Sequence, residues 1–149
     1  MPIPRRLLVL VLLTVIGGAP SVAWGQPADS TGQEEPPAVV QRIASAFADG
    51  DAGRLLTPAA DRVEITLFGT RTFYSSAQAL YVLREFFRRH TPRRFQVRDV
   101  METGTNCFVQ GEYEQVRRAR RLQVYVRLGQ PEGEELWHLH EIRIEGPSG

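Results

Sequence analysis

The feature that most restricts this chain is a change of hydrophobic period near Pro92. Upstream, apolar residues recur at helical spacing. Downstream, residues 95–101, 106–116, 122–128 and 136–144 alternate every second residue, with short turn or polar stretches between them. Connections this short join antiparallel neighbours, so the four segments predict an antiparallel meander. One apolar face of such a sheet must be covered, and the upstream helices are the elements available to cover it. Helices first and sheet after define an α+β fold.

The upstream half carries clear boundary signals. Behind Pro36 and Pro37, which suit a first helical turn, Val39, Val40, Ile43, Ala44 and Phe47 recur at helical spacing. Asp49 and Gly50 end that helix, Asp51 can cap a short turn through Arg54, Leu55 and Leu56, and Pro58 stops it. Residues 62–68 place Val63, Ile65 and Leu67 on one side, which predicts a half-buried strand closed by Gly69. The clearest helix opens at Ser75, where Gln78 completes a capping box, and carries Leu80, Leu83, Phe86 and Phe87. Arg88, Arg89 and His90 complement its negative end, and Pro92 prevents continuation.

The ends bound the address. Arg5 and Arg6 followed by an uncharged apolar run over 7–16, then small residues before Ala23 and Gly25, predict a cleaved signal peptide over 1–25. Gly17, Gly18 and Pro20 break the run well short of the ~20 residues a membrane span needs, so no span is expected after cleavage. Residues 26–36 are rich in Pro, Gly, Gln, Ser and Glu and predict a flexible leader. Residues 37–146 are left for one domain, large enough for its own core. Its expected destination is the periplasm or the medium. With Cys107 the single cysteine, no internal disulfide can form, and packing must hold the domain. Removing Arg5 and Arg6 leaves 16 basic against 17 acidic residues, a balance that names no charged partner and does not favour nucleic acid.

The segments 46–51, 62–69, 74–78, 82–87, 122–126 and 142–145 resemble a family of small exported bacterial proteins of uncharacterised function with the nuclear transport factor 2-like fold. That resemblance implies a cone in which N-terminal helices pack in the concavity of a curved sheet. It further implies a pocket on the concave side and, on the convex side, a surface for a homodimer. The wider fold includes ketosteroid isomerase, polyketide cyclases, dehydratases and binding modules without activity, so the fold does not choose a reaction.

Four constellations could carry chemistry. His138 and His140 fall two apart on a strand and could begin a metal site, although no motif marks a third ligand; two partly exposed histidines are the plainer reading. Asp99 and Glu141, with Tyr74, Tyr81, Tyr113 or Tyr125, could supply the acid and hydroxyl of an isomerase-type site, or could simply pair with neighbouring arginines. Arginines at 84, 88, 89, 93, 94 and 98 and at 117, 118, 120 and 121 could bind an anionic envelope component, or could be neutralised by Glu85, Asp99, Glu112 and Glu114. Trp137 shares strand parity with Glu141 and Arg143; by resemblance it points inward opposite Tyr81, making these four the pocket candidates, with plain core packing as the alternative. No glycine-rich phosphate loop, nucleophile motif or paired-cysteine motif is present, and no catalytic residue or cofactor is assigned. The expected function is an exported, non-catalytic binding module for a small apolar or amphipathic ligand, or an interaction module for an envelope protein. The alternatives are a small enzyme of isomerase, dehydratase or cyclase type and a dimeric scaffold.

Overall fold

A computed structural model describes residues 36–147; the expected signal peptide and nearly all of the expected leader lie outside the described residues. The chain runs α1 (Ala38–Asp49), α2 (Ala52–Leu55), β1 (Ala59–Leu67), β2 (Thr70–Ser75), α3 (Ser76–Arg89), β3 (Pro92–Thr103), β4 (Asn106–Gln115), β5 (Leu122–Gly129) and β6 (His138–Glu145). The helix signals act as expected. Gly50 closes α1 in the left-handed conformation at φ 66°, Asp51 caps α2 by accepting from the Arg54 backbone N–H, and Ser75 and Gln78 form the full capping box of α3. Among the described residues no helix is long and apolar enough to cross a membrane.

The six strands form one sheet in the order β2-β1-β6-β5-β4-β3. The four downstream strands make the expected antiparallel meander. Two features were not expected. Residues 70–75 form an extra strand, paired with β1 across a two-residue turn, and β1 pairs with β6 in parallel. The parallel pairing follows from chain geometry: α3 and the whole meander intervene between the two strands, so they can lie side by side in the same direction.

The concave face carries Val63 and Ile65 of β1, Cys107, Val109 and Tyr113 of β4, Leu122, Val124, Val126 and Leu128 of β5, and Leu139, Ile142 and Ile144 of β6, all buried. Helix α1 lies against β3 and β4, and α3 against β1 and β2. Each helix contributes one apolar face: Val39, Val40, Ile43 and Phe47 from α1, Ala79, Leu83, Phe86 and Phe87 from α3. This is the α+β cone expected, with helices in the concavity of a curved sheet.

One irregularity decides which residues of β6 face inward. Arg127 pairs with Glu141 but Leu128 pairs with Leu139, so His140 is an extra residue on β6. The bulge shifts parity. Leu139 points inward before it and Ile142 and Ile144 point inward after it, while Glu141 and Arg143 are placed on the outer face. The His140 ring lies close against the α-carbon of Gly129, where an added β-carbon would sit 2.9 Å from it.

Candidate functional site

Among the described residues the inside of the cone is closely packed. Phe47 stacks on Phe95 with ring centroids 4.8 Å apart and meets Phe87 and Tyr113 edge-on. Phe86 adds contacts to Phe87 and Tyr113. Phe95 lies over Gly111, where a β-carbon would come within 2.3 Å of its ring, so only glycine leaves room. Tyr113 donates its hydroxyl proton to the backbone carbonyl of His90, and burial pushes that hydroxyl well above the usual phenol range. It is a structural tyrosine. Cys107 is likewise buried among apolar groups, which raises its thiol to about 11, out of reach of ordinary thiolate chemistry. Among the described residues no buried side-chain nitrogen or oxygen lacks a hydrogen-bond partner, so the interior presents no polar group awaiting a ligand.

Open space lies instead at the rim, where α3 meets the β1–β2 turn. A groove of about 420 Å³ is bounded by Leu67, Phe68, Tyr81, Val82, Phe86 and His90, with Glu85 and Arg89 at its border. Three large rings define it. Phe68 is half exposed, Tyr81 is 73% exposed, and Phe86 forms the floor, stacked on the His90 imidazole at 4.9 Å. Phe68 occupies the first position of the two-residue turn at φ 49°, followed by Gly69 at φ 87°. Such turns favour Asn, Asp or Gly there, because a bulky side chain at positive φ is strained. Its backbone N–H bonds the Ile144 carbonyl at 2.9 Å and its ring meets His90 at 5.3 Å, and these contacts hold the exposed phenyl over the groove.

His90 is the pivot of this rim. Its Nδ1 donates to Oε1 of the buried Gln115 at 2.6 Å; Gln115 Nε2 donates to the Arg120 carbonyl, which fixes its amide orientation and leaves the imidazole Nε2 as the free nitrogen in the neutral ring. On the far side of His90 a second cleft, about 310 Å³, runs between the end of α3 and the loop after β4. Arg88, Arg89, Arg117 and Arg118 line it.

The four pocket candidates are not brought together. Tyr81 lines the rim groove, Glu141 and Arg143 line a shallow cleft on the outer face of the sheet, and Trp137 packs half-buried against the core. The inserted His140 is the physical reason: it removes the shared parity of Trp137 with Glu141 and Arg143. In the outer cleft Glu141 is held between Arg127 at 3.3 Å and Arg143 at 3.4 Å, and Arg143 lies over the Tyr125 ring. Asp99 is exposed at its edge. His138 pairs with Glu134 at 2.9 Å, while burial, then Arg127 and His138, hold His140 below the usual imidazole range. Among the described residues no three His, Cys, Asp or Glu side chains converge in a way that could hold a metal ion. Of the acids expected to neutralise arginines, Glu85, Glu112 and Glu114 do so. Phe68 and His90 were absent from the expected pocket. A phenylalanine immediately before the glycine of a strand-closing turn was the available signal for the first.

This architecture is that of the nuclear transport factor 2-like proteins. An NTF2-like protein of unknown function from Shewanella baltica OS155 matches with a TM-score of 0.56 at 11% identity, over 74% of this chain and 90% of that one. Within that fold the chain belongs to the family described as a domain of unknown function, DUF4783, whose pattern matches residues 40–145. Crystal structures of DUF4783 proteins from Bacteroides ovatus and Bacteroides uniformis match with TM-scores of 0.65 and 0.66, at 21% and 19% identity. They cover 72% and 73% of this chain and 94% and 97% of their own. No curated protein matches the sequence.

Proposed function

We propose that this domain is a non-catalytic binding module that takes the apolar part of a small amphipathic molecule in the rim groove, and that it acts after export. The observation that carries the proposal is Phe68. A large apolar ring held half in solvent at a strained turn position adds nothing to solubility and gains little from burial, and it stands beside exposed Tyr81 over a mostly apolar groove. Export is supported by the leading residues 1–25 alone.

The test uses N-phenyl-1-naphthylamine, a neutral fluorescent probe, displaced by dodecan-1-ol. Saturable binding is expected, weakened about tenfold or more in a Phe68→Ala, Tyr81→Ala double variant through lost contact area. Unsaturable binding, or equal binding by a normally folded double variant, would refute the groove. Export predicts a mature N-terminus at Trp24 or Gln26, read by mass spectrometry of the protein from its own host.

An acid/base enzyme has one observation in its favour, the placing of Asp99, Glu141 and Tyr125 around one outer cleft. The two guanidiniums on Glu141 occupy its carboxylate oxygens, which suits an ion-pair ladder better than proton transfer.

A further inference from the structure

We infer that the arginine cleft beside His90 is an anion site that receives the phosphate or carboxylate head of the same ligand. The inference deepens the proposed function and rests on it only for the tail. The two openings share Arg89 and His90, so an apolar chain lying on Phe68 and Phe86 would have its end directed between the arginines.

The charge balance in the cleft is positive. Glu85 binds both Arg88, at 2.8 and 2.7 Å, and Arg89, at 2.5 Å, and the Arg88 hydrogen bonds hold its carboxyl at about 2. One carboxylate thus faces two guanidiniums. Arg117 and Arg118 add two more, and neither has an ion-pair partner among the described residues. The negative end of α3 offsets part of this charge, but its last turn is already complemented by Arg88 and Arg89, and Tyr113 occupies the His90 carbonyl.

The walls are also held in place. Gln115 bridges His90 and the Arg120 carbonyl, and the Val116 backbone N–H bonds the Thr91 carbonyl at 3.0 Å. These clips keep the loop bearing Arg117 and Arg118 opposite the end of α3. Guanidinium forks on two sides of a cleft of about 310 Å³ suit a tetrahedral or planar anion, which each can bind through paired N–H donors.

The experiment compares dodecan-1-ol, dodecyl phosphate below its micelle concentration, and inorganic phosphate, titrated calorimetrically into the protein and into an Arg117→Ala, Arg118→Ala variant. Both substituted residues are exposed, so folding is not at risk. Dodecyl phosphate is expected to bind about tenfold or more tighter than the alcohol, and the variant should lose that preference while binding the alcohol as before. Equal affinity for the two chains, or a preference that survives in the variant, overturns the inference and leaves the groove intact. If neither chain binds but inorganic phosphate does, in an arginine-dependent way, the groove fails and the site takes free phosphate. If dodecyl phosphate binds in an arginine-dependent way and inorganic phosphate alone does not, the anion is a head group.

Discussion

Two aromatic clusters meet at Phe86, and they differ in what surrounds them. Inside, Phe47, Phe87, Phe95 and Tyr113 are packed ring on ring with the sheet behind them. On the rim, Phe68 and Tyr81 stand in solvent on the other side of the same α3 residue. The inner rings gain from burial and contact, whereas the outer ones gain little and one sits at a strained backbone position. A cone of this kind therefore need not bind through its concavity: when the concavity is filled, its edge can carry the open surface.

The comparison breaks most sharply at Phe47. It is fully buried with three ring contacts, so Phe47→Ala should lower stability by about 3–5 kcal/mol in chemical denaturation. A loss below about 1 kcal/mol would mean the interior is looser than its ring geometry implies. Gly111→Ala follows. The added methyl meets a Phe95 ring already stacked on Phe47, and overpacking should cost about 1–3 kcal/mol, read as a lower denaturation midpoint at unchanged slope.

On the rim the sign should reverse. Phe68→Asn replaces a strained residue with one that tolerates positive φ, a relief of ~1–2 kcal/mol that outweighs a ring contact with His90 of ~0.5–1.5 kcal/mol. Thermal denaturation should show stability unchanged or up to ~1 kcal/mol higher, while binding of the naphthylamine probe falls. Clear destabilisation would make Phe68 a structural residue.

The smallest effect tests the bulge. The folded pKa of His140 lies below the ordinary imidazole value of 6.5, so on acidification the unfolded chain takes up this proton first. Its contribution should be complete above about pH 6.5 and lost as pH falls through the folded pKa. His140→Gln should flatten that part of the stability profile measured by denaturation at several pH values.

Much of the fold was legible because its signals are local. Capping residues around Ser75 and Asp51 and alternation over β4 and β5 need no knowledge of distant partners. Strand β2 was not legible: its six residues read Thr-Arg-Thr-Phe-Tyr-Ser, and as an edge strand exposed on much of its surface it carries no buried alternation. The inward set of β6 was misplaced for a related reason. Leu139 and Ile142 are three apart rather than two, and that interval is the trace a bulge leaves in an apolar pattern. Tyr81 was expected inside the cone opposite Trp137 and stands instead at the rim, where its neighbours Phe68 and His90 come from a turn and a helix end that only the tertiary fold brings together.

The parallel pairing of β1 with β6 has a consequence for how the chain acquires its structure. Ile65 is registered against Ile142, so the strand made last sits in the middle of the sheet, between β1 and β5. Closing so long a loop is entropically slow, and until it closes the two halves of the sheet each show an unpaired edge. With β6 unformed there would be a three-stranded ribbon and a separate hairpin, and the eight residues of β6, His138–Glu145, join them. Assembly thus waits on β6, and loss of that strand would divide the sheet rather than shorten it.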